Sequence, residues 1–153
     1  CCDNVVVSGA ARPRGIQRER RPMKEIAVRT TNHTQFVNID ARVEEAIAAT
    51  GIREGICHVF VPHTTAGVTI NENADPDVVA DMIQALERAV PWQAPYAHAE
   101  GNAAAHVKAS MMGFSQIVPV RGGKLAFGTW QSLYFCEFDG PRTRNVWVRV
   151  VPA

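Results

Sequence analysis

The chain has 153 residues, 46% of them hydrophobic and 20% charged, with a formal net charge of +1. That is one domain's length, long enough to bury roughly 70% of its unfolded surface without disulfide or metal staples. Both signs of charge are spread along the chain, with no basic stripe beyond the amino terminus, which argues against nucleic acid as the main partner. No apolar run approaches the ~18 residues of a membrane span. There is no C-x-x-C pair, and Cys57 and Cys136 fall in apolar runs. They read as reduced core residues, which points to a cytoplasmic protein.

Residues 1–22 show no sustained period and end in a charge run, ARPRGIQRERRP. They read as a mobile extension, with the domain proper spanning 23–153. Lys24–Thr30 alternates like a half-buried strand, with Ile26 and Val28 on one face. Gln35–Ile39 is a second short strand. Asp40 is placed to cap a helix over Ala41–Thr50, with Val43, Ala46 and Ile47 as its apolar stripe and Gly51 as its stop. Ile56–Val61 is apolar except for His58 and reads as a central strand. Its histidine is expected to be a hydrogen-bonded core or interface residue. Pro62 ends that run, and Gly67–Glu72 is the next strand.

Asp75-Pro76 opens a helix with a capping carboxylate and a proline at its first position. Val78, Val79, Met82, Ile83, Leu86 and Val90 form its apolar face, and Pro91 ends it. Trp92–Ala99 is an irregular loop, followed by a short Ala-rich helix ending at Gly113. Gln116–Val120 is a strand with a tight turn at Gly122-Gly123. Lys124–Phe127 and Thr129–Phe138 read as one strand kinked at Gly128. Asn145–Val151 is the last strand, with Val146, Val148 and Val150 on one face. Helices in the first two thirds and strands at the end make this a single α+β domain with mainly antiparallel sheets and about three helices.

Several polar groups interrupt this plan. His63 follows a strand end in VPHTTAG, and His98 lies in the loop before the Ala-rich helix that carries His106. Three histidines from separate segments can form an open metal site, although H-x7-H is not itself a metal motif. Each histidine reads equally as a surface or capping residue. Thr64 and Thr65 can hold an anion between two strands. Thr129 and Gln131 can face a polar ligand beside Trp130. Arg142 and Arg144 offer forks for phosphate, and Asp139-Gly140-Pro141-Arg142 reads equally as a salt-bridged turn.

Four segments in order, VPHTTAGVTINENADPDV, HAEGNAAAHVK, the SQIVPVRGGKLAFGTWQ run and EFDGPRTR, closely resemble the YjbQ-like family, the secondary thiamine-phosphate synthase enzyme group. The resemblance covers about Met23 to Val151. It implies a compact α+β subunit in a homotrimer, with His63, His98 and His106 binding a divalent metal, zinc by donor preference. Glu72, Glu100 and Asn102 would then be catalytic neighbours. The implied activity joins a pyrimidine diphosphate to a thiazole phosphate, for which Thr64, Thr65, Thr129, Gln131, Arg142 and Arg144, read above from the residues alone, are the candidate substrate and phosphate contacts. Two other expectations use the same residues: a metal-dependent hydrolase with Glu72 or Glu100 as base, and a non-catalytic trimeric protein that binds a metabolite.

Overall fold

The computed structural model describes residues 23–153; the expected extension over 1–22 lies outside them. In chain order the elements are β1 (Lys24–Arg29), β2 (Gln35–Asn38), α1 (Asp40–Ala48), β3 (Gly55–Phe60), β4 (Ala66–Glu72), α2 (Pro76–Ala89), α3 (Ala103–Met112), β5 (Ser115–Arg121), β6 (Lys124–Leu125), β7 (Gln131–Glu137) and β8 (Thr143–Pro152). This is the order expected from the sequence, with β6 and β7 as two strands rather than one kinked strand. The strands form a five-stranded sheet, β1-β8-β3-β5-β6, and a three-stranded sheet, β2-β7-β4. Every pairing is antiparallel. No helix among the described residues is long and apolar enough to cross a membrane.

The two sheets face each other across one core. The five-stranded sheet contributes Val28, Cys57, Val59, Val118, Val146 and Val148; the smaller sheet contributes Val68, Leu133 and Phe135. Val43, Ala46 and Ile47 of α1 complete that core. The other face of the smaller sheet carries Tyr134 and Cys136, covered by Ala105 and Ala109 of α3 and Leu86 of α2. Strand β7 is thus buried on both faces, which is why LYFC is a continuous apolar run and not an alternating one. Burial pushes the Cys57 thiol up to about 12 and the Cys136 thiol up as well, so both are inert core residues.

Glycine at position 67 sets how closely α3 seats. A Cβ there would lie 2.7 Å from the Gly113 carbonyl oxygen and 3.0 Å from the Met112 Cβ. The Val68 N–H donates to that same carbonyl at 3.0 Å. Only a residue without a side chain lets the end of the helix rest on β4.

Three expectations need correction and a fourth, that for His58, is narrowed. Asp40 does not cap α1: it is the first helical residue, and its Oδ1 accepts the Leu133 N–H at 2.7 Å, tying the helix to β7. Gly128 does not kink one strand, because the chain leaves the five-stranded sheet after β6 and enters the other sheet at β7. Of the two places expected for His58, the core is excluded and an interface position is left. His58 is half-buried and alternates with the buried Cys57 and Val59, so it belongs to the uncovered face of the five-stranded sheet. The apolar face of α2 is only partly covered, with Leu86 and Val90 buried and Val78, Val79, Met82 and Ile83 intermediate. Asp75 does cap α2, accepting the Asp77 N–H at 2.9 Å.

At one end of the space between the sheets lies a buried charge pair. By alternation Glu137 shares the inward face of β7 with Phe135, and Arg144 shares that of β8 with Val146. Arg144 Nε donates to Glu137 Oε2 at 2.7 Å and Nη2 to Oε1 at 2.6 Å. Nη2 also reaches Thr65 Oγ1 at 2.9 Å, and Thr30 Oγ1 donates to the carboxylate at 3.2 Å. Glu137 is wholly buried. Burial pushes its carboxyl up, but Arg144 and the Asp139 N–H outweigh burial and hold it below the ordinary range.

Glu137→Ala leaves Arg144 uncompensated and is expected to cost about 3–5 kcal/mol in urea unfolding at neutral pH. A depressed carboxyl stabilises fully above its unfolded value of about 4.3 and loses that contribution as pH falls through the folded value. Wild-type stability should therefore drop steeply below about pH 4, and in Glu137→Ala this part of the acid slope should be missing.

Candidate functional site

The β4–β7 ladder separates the polar residues singled out in the sequence. Ala66 pairs with Glu137 at one end and Glu72 with Gln131 at the other. Six residue steps at ~3.4 Å each put the two ends about 20 Å apart. His63, Thr64, Thr65, Arg142 and Arg144 lie at the Glu137 end. Glu72, Thr129 and Gln131 lie at the other end, beside Trp130, which is 64% exposed. There the Gln131 Oε1 is engaged by the Gly128 N–H at 2.9 Å. Tyr134 Oη donates to Asn73 Oδ1 at 2.7 Å and lies 3.1 Å from the Glu72 carbonyl. One copy of the chain does not bring Glu72 to the histidines.

At the Glu137 end a relay of bonds places the start of α3. Glu137 Oε1 accepts the Asp139 N–H at 3.0 Å and the Phe138 N–H at 3.1 Å. The Asp139 carboxylate then accepts Asn102 Nδ2 at 3.2 Å and Arg142 Nη2 at 2.8 Å. Because a carboxylate only accepts, Asn102 must present its nitrogen there and its Oδ1 elsewhere. That oxygen is buried and has no partner among the described residues. Asn102 does not cap the helix with its side chain.

His106 lies one turn along α3 from Asn102. Its ring sits edge-on to that of His98, with centroids 5.3 Å apart. His98 Nε2 is 3.6 Å from Glu100 Oε2. These two imidazoles suit a divalent ion, which takes neutral imidazole nitrogen readily.

His63 is placed differently. Register sets Phe60 opposite Trp147, so residue 62 would stand opposite Asn145, but Pro62 ends the strand. The Asn145 N–H meets the His63 ring instead, donating to Nε2 at 2.9 Å. Among the described residues no three His, Cys, Asp or Glu side chains are grouped to hold a metal ion. The expected triad of His63, His98 and His106 is thus not assembled within one copy, and His63 Nε2 has its lone pair engaged.

The two arginines also divide. Arg144 is buried and committed to Glu137 and Thr65. Arg142 is half exposed; its Nε donates to the Asp139 carbonyl at 2.7 Å, and its Nη1 makes no hydrogen bond among the described residues. Of the hydroxyls, Thr65 is bound to Arg144 while Thr64 is exposed. The salt-bridged turn expected at Asp139-Gly140-Pro141-Arg142 is present; the residues that the sequence left without a role are Glu137 and Lys108. Lys108 is fully buried on α3, with its Nζ 2.6 Å from Glu87 Oε1 on α2. A carboxylate ending the apolar run LYFC, followed on the next strand by arginine, was the available signal for Glu137 and its partner.

The family model described as UPF0047 protein YjbQ-like matches residues 24–153. The UPF0047 protein YugU of Bacillus subtilis is 47% identical over 130 residues, covering 84% of this chain and 98% of that relative. The UPF0047 protein MJ1081 of Methanocaldococcus jannaschii is 43% identical over 124 residues, covering 81% and 90%. The crystal structure of an uncharacterized conserved protein of the yjbq/upf0047 family from Clostridium acetobutylicum superposes with a TM-score of 0.82 at 49% identity, covering 84% of this chain and 99% of that one. The chain belongs to the YjbQ-like UPF0047 family.

Proposed function

We propose that the chain is an enzyme acting on a phosphorylated small molecule at the end of the sheets marked by Asn102, and that it works as a homotrimer. The observation that carries this reading is the Asn102 Oδ1, a buried acceptor without a partner, set on the same helix face as His106. A buried polar atom left open costs free energy unless something bound there satisfies it. His98 and His106 would hold a divalent metal, zinc by their chemistry, with its other positions filled by substrate, water or a neighbouring copy. When bound, such an ion offsets negative charge on a leaving phosphate group.

The reaction to test first joins a pyrimidine diphosphate to a thiazole phosphate. The thiazole ring nitrogen bonds to the pyrimidine methylene carbon as that carbon's C–O bond breaks, and diphosphate leaves with its electron pair. Arg142, half exposed and held by Asp139, is the chain's own cation for that leaving charge. Glu100 and Asn102 orient groups around the histidine pair. Glu72, Thr129 and Gln131 reach substrate only from a second copy.

Assembly has its own support. The uncovered face of the five-stranded sheet exposes Ile56, Ile117 and Val151, with Ile117 at 66%. Phe60 and Trp147 stack beside them with ring centroids 5.7 Å apart. This face carries that apolar group together with Glu25, His58 and Arg149, and a further copy of the chain is the partner that would also bring the two halves of the polar set together.

Zinc titrated into metal-free protein is expected to bind, with His98→Ala and His106→Ala each weakening it about ten-fold or more. Unchanged zinc affinity in both variants would remove the metal from the account. Light scattering is expected to give three chain masses for wild type. Ile117→Lys is expected to release smaller species and to lower diphosphate release from the pyrimidine diphosphate in the presence of the thiazole phosphate; a trimer undisturbed by that change would contradict the assembly.

A further inference from the structure

We propose that His63 is a neutral hydrogen-bond donor, fixed as its Nδ1–H tautomer, and not a metal ligand. Its ring then offers a proton-bearing nitrogen to an anionic oxygen of the bound molecule. The choice of that ligand rests on the proposed function; the tautomer does not.

The geometry begins with a backbone N–H, which can only donate. The Asn145 N–H points at His63 Nε2 at 2.9 Å, so Nε2 must be bare. A neutral imidazole with a bare Nε2 carries its hydrogen on Nδ1. The sequence explains why the ring is there. Pro62 has no N–H and ends the strand, so the ladder stops one pair early and Asn145 would be left with an open donor. The next side chain, His63, takes it.

The surroundings favour the same state. The groups of other elements that act on the ring are the Arg144 guanidinium and the Glu137 carboxylate. Burial pushes the imidazole below its ordinary value, Arg144 pushes the same way, and Glu137 opposes them from behind Arg144. An N–H donated to a lone pair stabilises the ring form that carries that lone pair, so the Asn145 bond adds to the downward shift and does not oppose it. A protonated ring would set N–H against N–H. A metal would have to strip the Nδ1 proton or break the Asn145 bond and orphan a strand N–H.

Nδ1 makes no hydrogen bond to any described residue, and neither do the Thr64 hydroxyl next to it or the Asn145 side chain. The Nδ1–H can therefore donate to an oxyanion without assistance from an ion. Glu137 and Arg144 act as positioning residues, because they fix the start of β8 and with it the direction of the Asn145 N–H.

The test is two-bond 1H–15N correlation of the histidine rings in the full labelled chain at about pH 7.5, with His63→Asn used to assign the signal. The expected His63 pattern is a protonated Nδ1 and a bare Nε2. Zinc added alone should move the His98 and His106 ring nitrogens and leave those of His63 unmoved. An Nε2–H pattern, or zinc shifting His63 with the other two, overturns the proposal. For the donor role the probe is inorganic phosphate. His63→Asn, whose amide nitrogen can replace Nδ1–H, should bind within about three-fold of wild type, and His63→Phe about ten-fold or more weaker. Equal binding by His63→Phe overturns the donor role. Wild-type protein that binds no phosphate overturns the donor role together with the proposed function, whereas a wrong tautomer counts against His63 alone.

Discussion

Glu137 and Arg144 close one end of the space between the two sheets, and the polar end of the molecule depends on that pair. Each is too costly to bury alone. Paired, they satisfy one another through two short bonds and fix four separate segments: Thr30 after β1, Thr65 before β4, the Phe138–Asp139 turn after β7, and the start of β8. The pair need not add stability over a well-packed apolar pair. What it adds is position. Asp139 is held through its N–H, Asn102 is held by Asp139, and α3 follows with His106. On the other branch Arg144 fixes Asn145, which fixes His63.

This chain of dependence makes the site a by-product of how a strand pair ends. Strand ladders leave donors and acceptors open where they stop, and each must be met. At this end they are met by a carboxylate, a guanidinium, an amide and an imidazole, all of which can also serve a ligand. The opposite end of β7 has a different character: an exposed tryptophan, a glutamine bonded to its own turn, and Tyr134 bonded to Asn73. Some 20 Å of sheet separates the two. Residues that read as one constellation in the sequence therefore belong to two surfaces, and a closed assembly of copies is the economical way to join them.

The architecture was legible in the sequence because local signals agreed with one another. Alternation marked β1 and β8, the Asp75-Pro76 cap marked α2, and Gly113 marked the end of α3. Where reading failed, a tertiary partner had overridden a local role. Asp40 has the sequence position of a cap, but the Leu133 N–H claims its side chain. Gly128 looked like a kink because nothing local announces a change of sheet. The site was less legible than the fold. His63, His98 and His106 share a residue type, yet only the last two meet. What separates His63 is the hydrogen-bond demand of Asn145, set by register between strands more than eighty residues apart. Glu137 was visible as a charge in an apolar run, but its role needed the partner strand.

The central claim is that the Glu137–Arg144 pair holds the start of β8 as firmly as the core beneath it. Amide hydrogen exchange at Asn145 tests this most directly, because its N–H ends on a side chain beyond the last β3–β8 pair. The account predicts that Asn145 exchanges as slowly as Val148 in the middle of β8, through unfolding of the whole domain. Fast exchange at Asn145, with Val148 still protected, would show that the strand end frays in spite of the buried pair and would contradict it.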